Sequence, residues 1–161
     1  MNLIFKDIVF ARFVIVCVTS ILLLAACTES NDPKLLFDQG KYEKSFLLWG
    51  ALANKGDSLA QNYIGIHYYL GLGTEKNYKQ AKEWFEKSAI QGFADAQYNL
   101  AVMYENGQYV KQDYVTAAMW YSLAIDLGNE HAKRRMQGIL DEHKLFPNQY
   151  NRAKELAKQY R

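Results

Sequence analysis

Three glycines, Gly56, Gly92 and Gly128, stand 36 residues apart, and several other sets of positions keep the same phase. Tyr42, Tyr78 and Tyr114 do so, as do the small residues Ser45, Ala81 and Ala117, the aromatics Trp49, Phe85 and Tyr121, and Ala60, Ala96 and Ala132. A period between about 20 and 50 residues marks stacked supersecondary units, none of which can bury its apolar face alone. The spacing therefore predicts an open solenoid, an architecture suited to holding another macromolecule.

Within one period the apolar residues follow helical spacing. Tyr78, Ala81, Phe85 and Ser88 form a stripe flanked by Trp84 and Ala89, while Lys79, Lys82, Glu83, Glu86 and Lys87 cover the other side. Asn77 and Asp113 stand just before the second helix of their units, where a short polar side chain can cap free amides. Gly56, Gly92 and Gly128 follow the last turn of a helix, where a left-handed residue ends it. The unit reads helix, loop, helix, tight turn. First-type helices are expected over 57–70, 94–106 and 130–143, and second-type helices over 42–54, 78–91 and 114–127. Residues 35–39 read as a shortened opening helix. Pro147 starts a helix over 147–159 whose single stripe of Tyr150, Ala153, Leu156 and Ala157 suits a terminal cap. Trp84 and Trp120 are expected to fill equivalent buried places.

Residues 1–26 read as a signal peptide: Lys6 and Arg12 precede an uncharged apolar stretch from Phe13 to Ala26. Its 14 residues fall short of the roughly 18 to 20 that a spanning helix needs. Leu24-Ala25-Ala26-Cys27 resembles the lipobox of bacterial lipoproteins. That resemblance implies lipid on the Cys27 sulfur, cleavage before Cys27 and acylation of the new amino terminus, hence a membrane anchor of two or more chains. Thr28 after the cysteine implies, by the same analogy, sorting to the outer membrane of a Gram-negative envelope, facing the periplasm. An uncleaved anchor or an ordinary secretory signal is the other reading. Residues 27–33 form a polar tether.

Of 19 basic and 17 acidic side chains the leader takes Lys6, Arg12 and Asp7, which leaves 17 against 16. That balance gives no electrostatic case for nucleic acid. Cys17 falls in the leader and Cys27 would carry lipid, so no disulfide is available and the domain must be held by packing.

The run Ala60-Gln61-Asn62-Tyr63-Ile64-Gly65 through Tyr68, Gly71-Leu72-Gly73, Asn77-Tyr78, Ala81, Trp84-Phe85, Ser88-Ala89 and Gly92 resembles the Sel-one-like repeat, a relative of the tetratricopeptide repeat. The next unit agrees through Ala96-Gln97, Leu100-Ala101, Tyr104, Gly107, Asp113, Ala117, Trp120-Tyr121, Ala124 and Gly128. The resemblance implies an all-α, α-α superhelical solenoid of helix-turn-helix repeats with a C-terminal capping helix. It covers a domain over 34–161: a partial repeat 34–56, repeats 57–92 and 93–128, and a cap over 129–161. Members are adaptors and scaffolds without catalytic residues. Small exported members include immunity proteins that neutralise a toxic effector enzyme in the periplasm, and cysteine-rich relatives have been linked to cell-wall or β-lactam hydrolysis; their paired cysteines are absent here. Tyr109 replaces the second loop glycine, so the second loop is expected to differ in shape from the first.

No catalytic residue, metal or cofactor is assigned. His67 is in phase with Met103, which favours a packed position. His131 and His143, twelve residues apart on one helix, diverge by about 120° and cannot share a metal as ligands three or four apart do. Gly71-Leu72-Gly73 lacks the strand and the third glycine of a phosphate loop. Aromatics that recur in phase are expected in the core, whereas those out of phase are free for recognition. Asn62, Ile66 and Tyr69 lie opposite the partner-facing side of their helix, and the period carries them to Tyr98, Val102 and Glu105, then to Arg134, Gly138 and Asp141. These residues are expected to line a surface for a protein or peptide partner.

Overall fold

The computed structural model describes residues 31–160. The expected leader and the Cys27 lipidation site lie outside the described residues, as does the tether up to residue 30. Among the described residues there are eight α-helices and no strand: α1 (Pro33–Asp38), α2 (Tyr42–Ala53), α3 (Ser58–Leu70), α4 (Tyr78–Ile90), α5 (Ala94–Asn106), α6 (Tyr114–Asp126), α7 (Glu130–Asp141) and α8 (Pro147–Ala157). A single 3-10 turn over Lys158–Tyr160 follows. Each helix packs on its successor from α1 to α7, and α8 folds back onto α6. This is the all-α solenoid with a terminal cap that the periodicity predicts, and helix ends fall within two residues of their expected places.

Local chemistry explains the phase. Asn77 Oδ1 accepts from the Gln80 amide at 3.1 Å, and Asp113 Oδ1 accepts from those of Val115 and Thr116 at 2.9 and 3.3 Å. Caps of this kind each contribute about 1 kcal/mol. The buried Gln61 and Gln97, one period apart, donate from Nε2 to the Ala53 and Ala89 carbonyls at 3.3 and 3.1 Å. Each ties the start of a first-type helix to the open C-terminal carbonyls of the helix before it, which is why an Ala-Gln pair recurs.

The second loop does not depart from the first. Tyr109 takes φ 61°, close to the 67° of Gly73. Asn77 N donates to Tyr68 O at 2.8 Å and Asp113 N to Tyr104 O at 3.0 Å, so both loops close with the same bond. Flanking helices and caps impose the turn, and the tyrosine adopts it.

The main core runs through α4 to α8 and includes Phe85, Leu100, Met103, Tyr121, Met136 and Ile139; a smaller cluster of Trp49, Ala53, Ala60 and Ile64 joins α2 to α3. Helix α6 is buried on every side from Ala117 to Ala124, because α5, α7 and α8 all pack on it. A helix in that setting is apolar nearly all round, as Val115 to Ile125 is apart from Thr116 and Ser122. The two tryptophans are consequently not equivalent. Trp120 is 4% exposed under Tyr160, whose ring lies 4.9 Å away, whereas Trp84 is half-buried with the Lys87 ammonium 4.1 Å from its ring. Among the described residues no cap helix covers α4. The in-phase Tyr42, Tyr78 and Tyr114 are likewise half-buried rather than core.

Candidate functional site

First-type helices α3, α5 and α7 stand side by side, and their facing residues form a groove. Ile66, Tyr69 and Leu70 of α3, Phe85 of α4, and Tyr98, Asn99 and Val102 of α5 line an apolar cavity of about 280 Å³. The Phe85 ring sits so close to the α3 backbone that a Cβ on Gly65 would meet it at 2.5 Å, so glycine at 65 lets the ring withdraw into the core. Adjoining the cavity, a second cleft of about 470 Å³ shares Ile66, Tyr98 and Asn99 and extends past Leu59, Asn62, Tyr63 and Asp95 to Asn129 and His131.

Four of the residues expected on this surface, Ile66, Tyr69, Tyr98 and Val102, are brought together in the cavity. Asn62 lines the cleft but is buried, and its Oδ1 accepts from Asn99 Nδ2 at 2.9 Å. Tyr69 is held by a bond from its hydroxyl to Gln108 Oε1 at 2.7 Å. These inter-repeat pairs are 37 and 39 residues apart. Successive first-type helices are therefore out of strict register, which is why a 36-residue shift passes over Asn99. Leu59, Tyr63, Leu70, Phe85, Asp95, Asn129 and His131 also line the two spaces without following from the period. For Leu59, Tyr63 and Leu70 the signal is the apolar row along α3, wider than one stripe; Phe85, Asp95 and His131 belong to α4, α5 and α7 and lie outside it.

Glu105 is not a free charge on this face. It is 8% exposed, accepts from the Tyr121 hydroxyl at 2.5 Å, and forms a bidentate pair with Arg135, with Nη2 to Oε1 at 2.7 Å and Nε to Oε2 at 3.3 Å. Burial, then the adjacent carboxylate, pushes the Tyr121 hydroxyl well above the usual phenol range. Arg134 is exposed, with Nη2 3.0 Å from His131 Nδ1. Gly138 is half-buried and lines neither the cavity nor the cleft. Asp141 is exposed, accepts from Gln137 at 2.8 Å, and lines neither space either.

His67 is fully buried between Phe37 and Phe46. Its Nδ1 lies 2.6 Å from the Leu72 carbonyl, which can only accept, so the proton sits on Nδ1. Nε2 lies 3.4 Å from Ser45 Oγ, but that hydroxyl donates to the Pro33 carbonyl at 2.8 Å, and solvent does not reach the pair. This is packing, not a nucleophile with its base. Among the described residues no group of three or more His, Cys, Asp or Glu side chains could hold a metal ion.

The family model for the Sel1 repeat matches residues 58–93 and 94–129. Two Sel1 repeats therefore lie in this chain. Its fold is similar to a protective antigen of uropathogenic Escherichia coli strains that displays an SLR fold, with TM-score 0.72 and 30% identity over 80% of this chain and 28% of that one. A Sel1 repeat protein from Oxalobacter formigenes superposes with TM-score 0.65 and 34% identity over 76% of this chain and 54% of the other. Among curated relatives, protein sel-1 homolog 2 of Rattus norvegicus is 36% identical over 97 residues, 60% of this chain. The Arabidopsis thaliana protein HRD3A, named as a component of an ERAD-associated E3 ubiquitin-protein ligase, is 33% identical over 84 residues, 52% of this chain. The matches span only 14% and 12% of those relatives' lengths. Sel1-repeat proteins act as protein–protein interaction modules, and the fold is typically a non-catalytic scaffold.

Proposed function

We propose that this Sel1-repeat chain is a lipid-anchored adaptor of the bacterial envelope that binds a protein partner in the groove across α3, α5 and α7. The observation that carries the reading is the solvent-open apolar cavity where Ile66, Tyr69, Tyr98 and Val102 meet beside a polar cleft. Aromatic and aliphatic anchors in a pocket with a polar rim are the usual anatomy of a protein-binding hot spot. The Arabidopsis relative, named as one component of a larger ligase, is consistent with work done through an assembly. The anchor rests on the Leu24-Ala25-Ala26-Cys27 motif, and the place is the outer membrane facing the periplasm.

The test is capture of partners from envelope extract with the full-length chain and with a Tyr98→Ala, Arg134→Ala double variant, followed by mass spectrometry. A partner retained by the parent and lost by the variant supports the groove; equal retention moves the site elsewhere. Cys27→Ser should abolish incorporation of labelled lipid and leave precursor in the inner membrane. Normal labelling of that variant would remove the anchor from the proposal.

A further inference from the structure

We infer that the groove takes an extended segment of a partner protein that places a large apolar side chain in the cavity between α3 and α5 and an aspartate or glutamate side chain against Arg134 and Arg135 of α7. The inference rests on the interaction reading above and specifies the chemistry of its partner.

The size of the cavity suits a single large side chain. An apolar cavity of about 150 Å³ accepts a benzene molecule, whereas sites for drug-sized ligands run from about 300 to 1,000 Å³. The cavity here, at about 280 Å³, fits a phenylalanyl or leucyl group with room for the chain that carries it. Ile66 and Val102 offer aliphatic walls and Tyr69 is fixed by its bond to Gln108, so little order is lost when the cavity fills.

Charge decides what lies beside it. Beyond the apolar row of α3 and the cleft, α7 exposes Arg134 and Arg135, which line neither space themselves. Arg135 spends two of its five N–H groups on Glu105, yet its side chain stays 47% exposed while that of Glu105 is only 10% exposed. A partner therefore meets the remaining guanidinium donors and not the carboxylate behind them. Arg134 adds a second exposed guanidinium, with Nη2 3.0 Å from His131 Nδ1. Lys133 is occupied by Glu130 at 3.9 Å. The acidic group of the cleft, Asp95, stands at the opposite end of α5 and accepts from Asn129 at 2.8 Å. Ten residues along a helix separate Asp95 from Glu105, about 15 Å, so an acidic partner side chain near Arg135 is well clear of it. Val102 and Glu105 are three apart on α5, which puts the cavity next to Arg135, while Arg134 stands beside His131 of the adjoining cleft. Val102 and Glu105 lie about 4.5 Å apart along α5, the Arg135 guanidinium reaches past Glu105, and an extended chain advances about 3.3 Å per residue. The apolar and acidic residues of the partner thus stand about two or three positions apart.

The experiment is selection of a random-peptide phage library on the immobilised full-length chain, followed by affinity measurements on synthetic, C-terminally amidated peptides. Selected sequences should pair a large apolar residue with Asp or Glu two or three positions away. Changing either of those peptide residues to Ala should weaken binding about tenfold. Arg134→Glu, an exposed change that leaves the fold intact, should weaken it similarly and be rescued by a peptide carrying Lys in place of the acid. No enrichment, enrichment of basic or purely polar sequences, or an unchanged affinity of Arg134→Glu would each overturn the inference. A native partner captured through the groove without such a pair also overturns it and leaves the adaptor reading standing. Peptides that behave as expected with no native partner in the envelope sink the adaptor reading alone.

Discussion

Tyr109 holds a left-handed backbone, φ 61°, where Gly73 one repeat earlier has φ 67°. The two positions share a conformation but not a reason for it. A Cβ on Gly73 would come within 2.4–2.6 Å of the backbone of Tyr42 and Glu43, whereas the Tyr109 side chain is 57% exposed. A left-handed backbone costs an L-residue roughly 1–2 kcal/mol, part of which glycine returns by its freedom when unfolded. Tyr109→Gly should therefore raise stability by up to about 1 kcal/mol, read as a melting temperature a few degrees higher. Gly73→Ala should lower it by about 2 kcal/mol or more, because clash adds to strain. Similar losses at both sites would contradict this account.

The cap makes one tryptophan more important than its repeat-mate. Trp120→Ala empties a site enclosed by α6, α8 and Tyr160 and should cost about 3–5 kcal/mol. Trp84→Ala removes a half-buried ring and a cation–π contact, for no more than about 2 kcal/mol. Chemical denaturation of both variants measures the difference, and equal losses would mean that the cap does not shield Trp120.

His67 makes the N-terminal half sensitive to acid. Burial lowers its pKa below the ordinary histidine value, outweighing the raising effect of the Leu72 carbonyl. Above an unfolded pKa of about 6.5 neither state carries the extra proton and the group contributes no pH dependence. As pH falls below that value the unfolded chain takes up a proton that the native chain does not. Stability then declines with a slope of at most about 1.4 kcal/mol per pH unit, until the lowered folded pKa is passed. His67→Met, which copies the in-phase Met103, should abolish this part of the decline in urea titrations between about pH 7 and 5. An unchanged slope would assign the acid sensitivity to other groups.

Glu105 ties α5 to α6 and α7 at once. Glu105→Ala leaves the Tyr121 hydroxyl buried without its acceptor and frees Arg135, for an expected loss of about 2–3 kcal/mol. Tyr121→Phe removes one bond while the arginine pair persists, so its loss should be smaller, about 1–2 kcal/mol. The reverse order, measured by denaturation, would mean that the arginine pair adds nothing.

Much of the candidate groove was readable along the chain. Ile66, Tyr69, Tyr98 and Val102 emerge from helical spacing and one period, and the structure gathers all four. Asn99 and Phe85 are not legible in the period, for different reasons. The first is displaced by one residue through the offset between successive helices. The second belongs to a second-type helix and reaches the groove only because Gly65 leaves the α3 backbone bare.

The sequence by itself determined the helices, their caps and their order, because those depend on neighbours within a few residues and on a period repeated often enough to read. Asn77, Asp113 and the Gln61–Gln97 pair act over such short distances that their roles follow from their places in the repeat. What only the tertiary structure decided is how residues of equal phase come to differ. Trp120 is enclosed and Trp84 is not because α8 returns to one helix of the stack, and Glu105 became a buried tie because Arg135, 30 residues on, reaches it. Burial depends on everything that packs around a side chain, and in a stack of repeats that surrounding changes from the middle to the end even where the local sequence stays the same.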